Sequence, residues 1–75
     1  MQLAVVRWID TVSAGDEWVE ETETPCAVTT VGILKKETEN YMTIVLSETE
    51  DGLMRGYASI PKSCIVFSVI KELDA

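Results

Sequence analysis

A chain of 75 residues has room for one hydrophobic core and reads as a single domain, 1–75. Its formal net charge of −7 disfavours nonspecific binding to phosphate backbones and anionic headgroups, and the lack of histidine excludes imidazole from any catalytic or metal-binding arrangement. Hydrophobic residues make up 47% of the chain, which supplies a core with a thin margin, so burying further apolar area between copies would add stability.

Residues Leu3 to Ile9 read as the first strand. Leu3, Val5 and Ile9 share one side with Arg7, while Ala4, Val6 and Trp8 share the other. Both sides are largely apolar, the pattern of a strand covered twice. Arg7 and Asp10 break this run too early for the apolar region of a signal peptide, and no run approaches the ~18 residues of a membrane span. The expectation is a protein of the cytoplasm that neither crosses nor coats a membrane.

Asp10 to Thr24 is the longest irregular stretch. Asp10, Ser13, Gly15 and Asp16 are turn formers, Trp18 and Val19 would anchor the loop, and Pro25 ends it. A loop of this length in so small a domain points to function.

From Cys26 to Leu46 two strand-like runs flank the polar turn Lys36 to Asn40, the pattern of a β-hairpin. In the second run Met42, Ile44 and Leu46 fall on one face, and Tyr41, Thr43, Val45 and Ser47 on the other. Gly32 inside the first run marks a bulge, a bend or a close backbone approach. Cys26 and Cys64 each open an apolar run and are expected as buried, reduced thiols.

Ser47 to Gly52 is an acidic turn, and Leu53 to Ile60 is the next strand, with Met54, Gly56, Ala58 and Ile60 opposite Leu53, Arg55, Tyr57 and Ser59. Pro61-Lys62-Ser63 reads as one turn of 3-10 helix before a last strand, Cys64 to Ile70, that is again apolar on both sides. This order is similar to that of an all-β, five-stranded SH3-like or Sm-like small barrel. In such barrels the first and last strands pair, which would leave Ala4, Val6, Trp8, Val66 and Ile70 as an outer apolar band. The band predicts a homo-oligomer, most simply a dimer; the alternative is that the loop carrying Trp18 folds over it.

Catalytic constellations are missing. Neither cysteine has a histidine to activate it, no glycine-rich phosphate loop occurs, and the carboxylates sit in loops. Asp10, Ser13 and Asp16 have only a loose spacing for a metal, so the reading is a non-enzymatic protein with no metal and no cofactor. Aromatics for stacking are present, but a basic groove for long nucleic acid is not. One mixed pocket stands out: Arg55, Tyr57 and Ser59 share a strand face, with Trp8 and Trp18 near the loop. Aromatic faces there would stack on a purine while Arg55 forks onto phosphate. The structural alternative is that both tryptophans are core or interface anchors and Arg55 pairs with a carboxylate.

Val6-Arg7-Trp8-Ile9-Asp10, then Gly15 and Trp18, Thr30-Val31-Gly32-Ile33-Leu34, Asn40-Tyr41-Met42-Thr43-Ile44 and Ile60-Pro61-Lys62 follow one another along the chain. This ordered set resembles a group of small tailed-bacteriophage proteins of unassigned function. The chain departs from that pattern where Asp16 and Glu17 separate Gly15 from Trp18, and where Thr30 replaces a serine. The resemblance implies a phage product acting in the host bacterial cytoplasm. By analogy with small phage counter-defence proteins, it implies an oligomeric sponge that captures a nucleotide-derived immune signal without cleaving it. Trp8, Trp18 and Tyr57 would then stack, Arg55 and Lys62 would hold phosphate, and Asp10, Ser13 and Thr30 would read polar edges. The alternative is an acidic inhibitor that docks on a host enzyme through the carboxylate-rich stretch Asp16 to Glu23, and a third reading is a minor virion or assembly component.

Overall fold

A computed structural model describes residues 1–10 and 25–74. These form five strands, β1 Gln2–Asp10, β2 Cys26–Glu37, β3 Tyr41–Glu48, β4 Met54–Pro61 and β5 Ile65–Glu72, with a 3-10 turn at Lys62–Cys64 before β5. All pairings are antiparallel and lie in one sheet of order β4-β3-β2-β1-β5. Among the described residues no helix is long and apolar enough to cross a membrane.

The expected barrel does not close. Closure would require β5 to pair with β4, but the 3-10 turn carries the chain away from β4 to the far side of β1, and β4 and β5 end as the two edges of the sheet. Three contacts fasten the end of β5 to the start of the chain: the Met1 ammonium meets Glu72 Oε1 at 3.1 Å and the Leu73 carbonyl at 3.4 Å, and the Leu73 N–H donates to the Met1 carbonyl at 2.8 Å.

The long β2 makes a sheet of this order enclose a core. Its first part, Cys26 to Ile33, pairs with β1; its second part, from Ile33 to Glu37, pairs with β3. Ile33 is the residue paired on both sides, to Leu3 and to Val45. The sheet therefore turns a corner there, and Gly32 makes the corner sterically feasible. A Cβ on Gly32 would lie 2.5 Å from the Val45 carbonyl oxygen and 2.8 Å from Ile44 Cγ2. A register shift between Leu34 and Lys36 adds the bend that a bulge supplies.

Inside the corner Ala4, Val6, Met42, Ile44 and Ile60 are buried, and Trp8, Leu34, Ala58 and Ile65 pack against them. The expectation that Ala4, Val6 and Trp8 face outward is thereby reversed: they line the core, and Leu3, Val5 and Arg7 carry the outer side. Crowding at the corner gives the physical reason. Ala4 pairs with Gly32, where the β2 backbone comes close to Val45 and Ile44 of β3, so the smallest side chain of β1 sits at the tightest point. The expectation of buried thiols is corrected as well: Cys26 is exposed and Cys64 half-buried, both unbridged. Cys26 pairs with Asp10 at the last pair of the β1–β2 ladder, outside the buried cluster.

Candidate functional site

Trp8 and Thr30, both proposed as ligand contacts, instead meet each other. The indole N–H of Trp8 donates to Thr30 Oγ1 at 2.9 Å while the ring packs against the core. Thr30 becomes the acceptor that a half-buried tryptophan needs. Lys62 is engaged at the β2–β3 turn, where its Nζ lies 3.0 Å from Glu37 Oε2 and its backbone N–H donates to the Asn40 carbonyl at 2.8 Å. Asp10 is exposed at the end of β1. Ser13 and Trp18 lie outside the described residues, as do the carboxylates from Asp16 to Glu23.

Arg55 and Tyr57 stand apart from these. Alternation along β4 places them with Ser59 on one side of the strand, opposite Ser47, Val45 and Thr43 of β3. Trp8 lies on the core side of the sheet, so it does not join them. Tyr57 is 72% exposed, and among the described residues Arg55 takes part in no ion pair. At the Ser59 end of this row, Thr43 Oγ1 and Ser59 Oγ are 2.9 Å apart and share a hydrogen bond. At the Arg55 end, Ser47, Glu48, Thr49, Leu53, Met54 and Arg55 line an open groove of about 590 Å³, within the size range of small-ligand sites.

The groove owes its existence to a length mismatch. Pairing of β3 with β2 ends at Val45–Ile33, whereas pairing of β3 with β4 continues to Glu48–Met54. The β3–β4 hairpin thus projects past the corner with no strand at its back among the described residues. Leu46, expected in the core with Met42 and Ile44, is 70% exposed, as is Leu53, and Met54 is 54% exposed. Leu46 lies over Gly56, whose φ of +66° belongs to the left-handed region that glycine favours. Lys35 reaches back to pair with Glu48. The alternation of β3 by itself concealed this apolar tip; the signal for it was the acidic turn following directly on Leu46, which marks the end of the covered part of the strand.

The described residues hold no cluster of three or more His, Cys, Asp or Glu side chains arranged to bind a metal ion. Arg55 supplies a forked cation and Tyr57 a flat apolar face with a hydroxyl, and between them they could bind a planar anionic ligand. Comparison with protein-family models, with curated proteins and with solved structures gives no match.

Proposed function

We propose that this chain is a non-enzymatic binding protein of a tailed bacteriophage that sequesters a nucleotide-derived signal of host immunity in the bacterial cytoplasm. The phage origin is supported by the ordered motifs from Val6 to Lys62. The observation that carries the binding mode is the pairing of an exposed Tyr57 with an exposed Arg55 on one side of β4, beside the groove at the hairpin tip. A base would stack on Tyr57 and a phosphate would accept from Arg55, with the Thr43 and Ser59 hydroxyls available to a polar edge. This reading narrows the contact set: Trp8, Thr30 and Lys62 are engaged within the fold.

A panel of cyclic and linear dinucleotides and ADP-ribose derivatives tests it by thermal shift. The expected result is stabilisation by at least one compound, lost in Arg55→Ala and Tyr57→Ala. The apolar tip favours a second reading, an acidic inhibitor of a host enzyme: Leu46, Leu53 and Met54 are exposed beside Glu48, Glu50 and Asp51. No shift with any nucleotide, together with a host-protein complex that Leu53→Asp abolishes, would replace the first reading by the second.

A further inference from the structure

We propose that the free edge of β5 docks on the same edge of a second copy of this chain, joining two five-stranded sheets into one continuous antiparallel sheet. The inference rests on backbone pairing and is independent of the ligand reading above.

The direction of the β5 backbone follows from its last contact. Leu73 N–H donates to the Met1 carbonyl at 2.8 Å, and the Met1 ammonium donates to the Leu73 carbonyl at 3.4 Å, so these two residues exchange both bonds. Antiparallel ladders alternate such pairs with non-bonded ones. The next bonded pairs are therefore Leu3–Lys71, Val5–Val69 and Arg7–Phe67. Ser68, Ile70 and Glu72 direct their N–H and C=O groups away from β1, toward an edge with no strand beyond it among the described residues.

Up to Ile70 that edge lacks the features that keep sheet edges single, its charges Lys71 and Glu72 lying at the end of the strand. Ile65 to Ile70 contain no charge, proline or glycine, and the register runs unbroken from Glu72 to Phe67, with its one shift at Arg7/Trp8. Val66, Phe67 and Val69 are 61%, 54% and 57% exposed. The opposite edge is guarded: β4 carries Arg55, the left-handed Gly56 and a terminal Pro61.

A second copy fits because antiparallel pairing of a strand with itself has two-fold symmetry. Outward-directed groups must meet outward-directed groups, so a residue of even number faces one of even number. With Ser68 on the axis, Val69 stands across from the partner subunit's Phe67 and Ile70 across from the partner subunit's Val66. These are aromatic–β-branched and aliphatic pairs of the kind that stabilise sheets. Copies each carrying −7 repel at long range, so this association tightens as salt rises.

Sedimentation of the full chain over a concentration series, at low and moderate salt, tests the proposal. A dimer that strengthens with salt is expected. Ser68→Pro removes only an outward N–H and should give a monomer with an unchanged far-ultraviolet spectrum; Val69→Lys, which retains every backbone donor, should do the same if the proline variant fails to fold. In a Cys26→Ser, Cys64→Ser background, Ser68→Cys should oxidise to a cross-linked dimer, since bonded antiparallel pairs have Cα atoms about 5.5 Å apart, within disulfide range. A wild-type chain that stays monomeric at every concentration, a folded Ser68→Pro or Val69→Lys variant that stays dimeric, or a Ser68→Cys dimer that does not cross-link would each overturn the proposal.

Discussion

Trp8 faces Val28 in the β1–β2 register, yet its indole N–H donates to Thr30, one diagonal step along β2, at 2.9 Å. Thr30 itself pairs with Val6, a fully buried residue, so the bond lies at the margin of the core. Thr30→Val preserves the shape and orphans the indole donor, with an expected loss of about 1 kcal/mol, the lower end of the range for a stranded buried donor because the ring is only half-buried. Trp8→Phe combined with Thr30→Val should cost less than the sum of the two single losses in urea unfolding. Strict additivity would mean that the hydrogen bond contributes nothing.

Gly32→Ala is expected to be the most damaging glycine substitution among the described residues. The added methyl meets the Val45 carbonyl at 2.5 Å, and a backbone atom at the sheet corner cannot step aside as a side chain could. A loss of about 3 kcal/mol or more follows. Gly52→Ala has open space around it and is penalised only by its φ of +88°, at about 1–2 kcal/mol. Thermal melts of the two variants should rank them in that order.

Neighbouring valines report which side of β1 faces inward. Val6 is fully buried and Val5 is 37% exposed. Val6→Ala should cost about 2–3 kcal/mol through lost burial and the cavity left behind, and Val5→Ala below about 1 kcal/mol. Equal losses, measured as denaturation midpoints at unchanged slope, would contradict the assignment of faces.

The Lys62–Glu37 pair is partly exposed, at 37% and 41% for the two side chains. Lys62→Gln should therefore cost at most about 1 kcal/mol, and less in high salt. Glu37 also competes for the Lys62 ammonium, so Glu37→Gln should tighten any nucleotide that uses Lys62 and leave one held by Arg55 unaffected. Titration calorimetry on the two variants separates these outcomes.

Much of the local structure was legible in the chain. Period-two alternation located the strands to within a residue or two, Pro61 placed the 3-10 turn next to where it lies, and an interior glycine flagged the close approach at Gly32. The pocket was legible only in part. Arg55 and Tyr57 do share a face, but Trp8 does not reach them, because its indole is drawn to Thr30 on the core side.

Composition and alternation by themselves determined that this is an all-β chain with two apolar sides on its first and last strands. Only the tertiary structure decided which of those sides is buried, that the sheet stays open, and that Leu46 escapes the core. The reason is that alternation states that a strand has two faces, whereas burial depends on what lies opposite. Ala4 is buried where it meets Gly32 at the corner, and Leu46 is exposed because β2 has already left β3 at Val45 and no other described strand covers it.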